Sequence, residues 1–219
     1  MNITVILISM SVFCLFLSIT RIAFTGTGEY LFLNWNLFLA FIPWILSMII
    51  ASRKKHQDNI LTLFLLIFTW LIFFPNSPYI LTDLFHLQNR RNAPQWFDLI
   101  IILSFAWTGL SYGFHSLLNI ESLLTERLKP RIINFFMVIL LFMGSFGVYL
   151  GRFLRWNSWD IINNPVLLLS DVFERIYDPL SHPRTWGMTI LLGILLNMIF
   201  WSVKMFTVRK YNFTGVDKA

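Results

Sequence analysis

Charge is scarce in this chain. Only 13% of its 219 residues are Asp, Glu, Lys or Arg, against about 25% in an ordinary soluble domain. With 57% hydrophobic residues and a mean hydropathy of +0.67, no single core could hide the Phe, Leu and Ile, which excludes a typical soluble fold. Cys14 is the one cysteine, which excludes an internal disulfide and a cysteine metal cluster. It lies in an apolar segment and is expected to be a buried, inert thiol. No P-loop, dinucleotide fingerprint or Gly-x-Ser-x-Gly elbow occurs, and Ser77 has no base at a definable offset. Ser/Gly linkers and internal repeats are also missing, so residues 1–219 read as a single membrane domain. The first apolar run is preceded by no basic side chain and followed by Thr25-Gly26-Thr27-Gly28. It lacks a small-x-small cleavage site and reads as a retained span.

What is present is a set of six apolar segments, over about 3–24, 31–51, 59–74, 98–118, 131–151 and 184–207. Each has the length a bilayer requires. The expected fold is therefore an all-α, polytopic helical bundle of about six transmembrane helices, with short interfacial helices on its outer face. Pro43 is expected to kink the second span. The basic residues orient the bundle. With the N-terminus inside, Arg53, Lys54, Lys55, Arg127, Lys129, Arg131, Lys204, Arg209, Lys210 and Lys218 share one side with Asp58, Glu121, Glu126 and Asp217. The other side balances seven bases with seven acids and holds no lysine. Both termini are thus expected in the cytoplasm. The basic loops face anionic lipid and call for no nucleic acid.

Two stretches on the charge-balanced side carry the unusual chemistry. In Phe73-Phe74-Pro75-Asn76-Ser77-Pro78-Tyr79-Ile80-Leu81-Thr82-Asp83-Leu84-Phe85-His86, Ser77 is expected as an N-cap with Pro78 at the first helical position. A short helix to about Leu87 would place Tyr79, Asp83 and His86 on one face and Ile80, Leu84 and Leu87 on another. It would lie at the interface or dip back into it. In Gly147-Val148-Tyr149-Leu150-Gly151-Arg152-Phe153-Leu154-Arg155-Trp156-Asn157-Ser158-Trp159-Asp160, Gly144, Gly147 and Gly151 form a small-residue stripe that admits close backbone approach. Arg152 and Arg155 follow at the interface. A second outer helix is expected to end near Tyr177, with Asp171 and Glu174 as a capping box.

Asp83 and His86 are the candidate acid–base pair, with a structural role or metal binding as alternatives. A metal would need a third ligand from Asp98, Asp160, Asp171 or His182, and no metal is expected. Arg152 and Arg155 could clamp a phosphate or carboxylate, or could pair with Asp83 or Asp160. Asn76, Tyr79, Asn157 and Asp160 complete the candidate substrate contacts, with Asn34 and Asn36 at the outer start of the second span as further candidates for the same polar cluster. Trp96, Trp156, Trp159 and Trp186 read as an aromatic belt, with a sugar-stacking platform as the alternative. In the fourth span, Ser104, Thr108, Ser111 and His115 form a polar stripe. It either lines a permeation path or satisfies itself on nearby backbone.

The two stretches, in this order and with this span pattern, resemble the signature stretches of a bacterial membrane-protein family, domain of unknown function 1361. The resemblance implies a bacterial plasma-membrane protein and carries over no activity. The residues leave three expectations open. One is an enzyme acting at the outer leaflet on a lipid or lipid-linked envelope substrate. The others are a small transporter or channel, and a non-catalytic subunit binding another membrane protein. No cofactor is expected.

Overall fold

The computed structural model describes residues 2–53, 60–87, 93–125 and 128–215. Of the residues in the charge tally, Lys54, Lys55, Asp58, Arg90, Arg91, Glu126, Arg127, Asp217 and Lys218 lie outside them. Among the described residues there are helices and no strands. Six helices are long and apolar enough to cross a membrane, so the chain is a multi-pass, all-α bundle.

Helix α1 spans Ile3–Thr25, opening under an Asn2 side chain that accepts from the Thr4 N–H and closing at Gly26 in the left-handed region. Then come α2 (Phe32–Arg53) and α3 (Ile60–Phe73). The one-turn α4 (Asn76–Tyr79) runs into a 3-10 helix, Ile80–His86. Helices α5 (Gln95–Leu124) and α6 (Pro130–Phe153) follow, then the short α7 (Asp160–Asn163) and α8 (Pro165–Tyr177), and finally α9 (Pro183–Gly215).

The central helix is α5, which buries Ile101, Ile102, Phe105, Leu110, Phe114 and Leu117. It is also stitched to its neighbours by polar contacts. Tyr112 Oη meets Ser11 Oγ of α1 at 2.8 Å, the Trp70 indole of α3 donates to Ser116 Oγ at 3.3 Å, and Asn119 donates to Ser47 Oγ of α2 at 3.0 Å. In lipid such bonds replace the hydrophobic drive that water would supply. Cys14 is free and buried, its Sγ 3.3 Å from Thr108 Oγ1. At the basic end, Lys204 of α9 pairs with Glu121 of α5.

The third span differs most from expectation. Its helix stops at Phe73, but the chain does not then lie along the surface. From Phe74 it continues inside the bundle, packed on α2, α5 and α6, and Leu61–His86 together make a spanning unit of 26 residues. Ser77, Pro78, Ile80, Thr82 and Asp83 are buried. Ser77 is not an N-cap, since α4 already begins at Asn76 and Pro75 occupies the cap position with no side-chain bond. Instead the Ser77 hydroxyl donates to the Ala40 carbonyl of α2 at 3.2 Å. The reason lies in α2. Pro43 sits in its interior, removes an N–H and crowds the carbonyls one turn before it. The Leu39 carbonyl loses its donor, and the adjacent Ala40 carbonyl is the one that accepts from the Ser77 hydroxyl.

Helix α8 ends at Tyr177 as expected, but Asp171 and Glu174 do not cap it. The helix starts six residues earlier, with Pro165 in its first turn. Its Val166, Leu167, Leu169, Phe173 and Ile176 are exposed along one side, the pattern of an interfacial helix.

Candidate functional site

The glycines of α6 and α5 make room for the buried segment. A Cβ at Gly147 would stand 2.5 Å from Pro75 Cγ, and one at Gly144 would stand 2.8 Å from the Phe74 ring. At Gly151 it would touch the Tyr79 ring at 3.2 Å. So the α6 stripe receives Phe74, Pro75 and Tyr79 rather than a straight helix. A second pair, which sequence reading missed, does the same from α5. Gly113 would clash with Ser77 Cβ at 2.6 Å and Gly109 with Ile80 Cδ1 at 2.7 Å. Their i, i+4 spacing was the available signal.

This docking brings the two sequence stretches together around one guanidinium. Arg152 pairs with Asp83, donates through Nε to Thr82 Oγ1 at 2.8 Å, and meets His86 Nε2 at 2.9 Å. Its Cζ lies 4.7 Å from the centroid of the Tyr79 ring and 5.9 Å from that of Phe85, a cation–π geometry worth on the order of 1 kcal/mol or more when desolvated. Asp83 is 1% exposed, and its second oxygen accepts from Asn36 Nδ2 of α2 at 2.8 Å. The carboxylate is thus held by α2 on one side and α6 on the other. Thr82 is a member of the cluster that sequence reading missed. An α-helical face omits it, whereas 3-10 winding aligns positions three apart and sets Thr82 beside Tyr79 and Phe85.

Arg155 is not part of this cluster. The residue is exposed, with φ 63, just past the end of α6. The Trp156 N–H reaches back over it to the Leu150 carbonyl at 3.2 Å. Among the described residues its side chain makes no ion pair. Asp160 turns to its own loop, where its Oδ2 accepts from the Asn157 N–H at 2.7 Å and from Asn157 Nδ2 at 3.2 Å. Asp171 accepts from the Trp156 indole at 2.7 Å.

Beside the cluster lies a cavity of about 300 Å³. Asn76, Tyr79, Asn157 and Ser158 line it, with Asn36 from α2. Trp35, Trp156 and Trp159 supply indole walls, and Leu71, Ile72, Met143, Phe146 and Leu150 supply an apolar flank. Ile161 and Leu168 close it from α7 and α8. The candidate residues therefore divide. Asn76, Tyr79 and Asn157 line the cavity. Asp83, His86 and Arg152 stand behind its wall, and Arg155 and Asp160 lie outside the lining. Of the expected belt tryptophans, Trp156 and Trp159 line the cavity. Trp186 donates to the Arg175 carbonyl at 3.0 Å, and Trp96 is exposed.

A second buried ion cluster joins α1 to α5. Arg21 Nε donates to Asp98 Oδ1 at 2.7 Å, and its Nη2 reaches Glu29 at 2.9 Å. Arg21 and Asp98 are both almost fully buried. Sequence reading counted them among the charges of the balanced side without pairing them, because a base and an acid 77 positions apart leave no local pattern. The stripe on α5 resolves differently. Ser104, Thr108 and Ser111 each donate to the carbonyl four residues back, at 2.7–2.8 Å, and with His115 they are absent from the cavity lining. No three His, Cys, Asp or Glu side chains cluster among the described residues in a way that could hold a metal.

The fold and site define a class: a six-span helical membrane bundle with an amphipathic cavity beside a buried arginine clasp. The chain belongs to the family described as protein of unknown function DUF1361, whose model matches residues 35–199. That stretch contains the clasp and all of the cavity lining, while α1 with Arg21 precedes it. Nothing matches the chain among curated proteins or among solved structures.

Proposed function

We propose that this protein binds a lipid or lipid-linked envelope substrate in the cavity beside Tyr79, in a bacterial plasma membrane, with both termini cytoplasmic and the cavity towards the extracytoplasmic leaflet. One observation carries the reading: a single cavity is amide- and hydroxyl-lined on one side and aliphatic on the other. That is the chemistry of a headgroup joined to a hydrocarbon chain. Met143, half exposed on the flank of α6, lines it roughly 15 Å below the end of that helix at 1.5 Å per residue. A chain can therefore leave sideways into lipid. In this reading Asp83 and His86 position the wall through Arg152 and Tyr79, because the Asp83 carboxylate is enclosed and already engaged on both oxygens. The charge asymmetry of the loops supports the orientation. The test is native mass spectrometry of the purified chain. A retained lipid should be lost in Met143→Trp and Ile161→Trp, which fill the cavity, and kept in Phe16→Trp on the lipid-facing side of α1. Equal retention in all three would sink the proposal.

A further inference from the structure

The cavity is bordered by Asp83, Arg152, Asp160 and Asp171, yet no charged side chain is among its lining residues. Each of these charges is turned onto the protein itself. The amides that do line the cavity turn their NH2 groups onto the protein as well, Asn76 with both N–H groups and Asn36 and Asn157 with one each. Asn36 gives its Nδ2 to Asp83 at 2.8 Å. Asn76 gives its Nδ2 to the Phe73 carbonyl and to Ser158 Oγ, both at 2.9 Å. Asn157 gives its Nδ2 to Asp160 at 3.2 Å. Carboxylate and carbonyl acceptors fix which end of each amide is nitrogen. Three amide oxygens are left without a partner among the described residues, as is the Tyr79 hydroxyl. Trp35, Trp156 and Trp159 add flat apolar faces.

Taking the cavity as the lipid site proposed above, we infer that its headgroup is an uncharged, hydroxyl-rich one: the sugar of a glycolipid or of a lipid-linked glycan. Amide oxygens accept from sugar hydroxyls, and indole faces pack on the apolar faces of sugar rings. A phosphate would meet no cation among the lining residues. A quaternary ammonium would meet rings and no carboxylate, and would leave the amide oxygens without donors.

The test uses the full chain in phosphatidylcholine nanodiscs and three photoreactive amphiphiles. They share one diazirine-bearing alkyl chain and differ in headgroup: glucose, phosphate or trimethylammonium. The glucose probe should label residues between Met143 and Ile161 saturably. Its labelling should weaken roughly tenfold in Tyr79→Phe and Asn157→Ala, about the loss of one well-made hydrogen bond. Asn157 is exposed, so its substitution keeps the test valid if Tyr79→Phe fails to fold. A diacyl glycolipid and a polyprenyl-linked sugar serve as competitors. Displacement by one of them supports the inference and names the source, and displacement by neither overturns it. Stronger labelling by the phosphate or ammonium probe would overturn the headgroup assignment and leave the lipid cavity standing. Absence of saturable labelling by any probe would remove the lipid cavity as well.

Discussion

Replacing Asp83 by alanine tests whether the clasp is the structural unit described above. The substitution strands Arg152, whose side chain is 12% exposed, beside a wall of rings and hydroxyls. Removing one partner of a buried pair costs about 3–5 kcal/mol, because the other charge is left uncompensated. Arg152 keeps Thr82, His86 and the Tyr79 face, so the loss should fall near the lower end, about 3 kcal/mol. At roughly 2–4 °C per kcal/mol for a chain of this size, that is a fall of about 6–12 °C in Tm. Arg152→Met should cost a similar amount by exposing Asp83 and Asn36. The double variant Asp83→Ala, Arg152→Met removes both charges and should recover at least about 2 kcal/mol relative to the sum of the single losses. Detergent-solubilised protein, melted under tryptophan fluorescence, gives all four corners of the cycle. Strictly additive losses would refute the clasp and return Asp83 to the list of free acids.

Three further outcomes follow from the geometry. Gly147→Ala should destabilise by about 1–3 kcal/mol, since its Cβ would lie 2.5 Å from Pro75. Gly187→Ala, with nothing within 4 Å, should stabilise α9 by up to about 1 kcal/mol, and matching effects in the two melts would discredit the cradle. Arg155→Gly should leave stability unchanged or raise it by up to about 1 kcal/mol, because φ 63 suits glycine. Arg155→Val should lower stability, and the reverse order would show that the arginine side chain has a partner. Asp98→Ala should cost about 3 kcal/mol, the lower end for a broken buried pair, because Arg21 keeps Glu29. Protease sensitivity near residues 21–31 should rise with it, and an unchanged digest would rule out that pair as the lock between α1 and α5.

Much of this bundle was legible in the sequence, because a bilayer forces long apolar runs and gives each its length. The glycines of α6 were legible as a site of close approach. What they receive was not, because the spacing rule assumes a regular partner helix. Pro75 and Pro78 break that assumption, and the segment that follows Pro75 winds as α4 and then as 3-10. The same change of winding hid Thr82. The apolar side of the cavity was invisible for another reason. Leu71, Ile72 and Met143 look like any lipid-facing residue, and only the break after Phe73 turns a lipid face into a cavity wall. Arg21 and Asp98 were hidden by sequence distance alone.

The balance of acids and bases at this end of the bundle has a structural consequence. Among the described residues, the buried charges at this end are matched inside the protein: Arg152 by Asp83, Arg21 by Asp98 and Glu29, and Arg175 by Asp171. Matching lets a guanidinium serve as scaffold. Its fork spans Asp83, Thr82 and His86 and its plane rests on Tyr79, so one side chain fixes three positions of a 3-10 segment that has weak hydrogen bonds of its own. Lysine could not do this, since it offers a point charge without a fork or a plane. Arg152→Lys is therefore a sharper probe than Arg152→Met. It keeps the charge and the ion pair but frees Thr82 and the Tyr79 ring. If the clasp exists to shape the cavity wall, Arg152→Lys should melt close to the native chain and still lose the bound amphiphile. If it exists only to neutralise Asp83, amphiphile binding should survive the substitution intact.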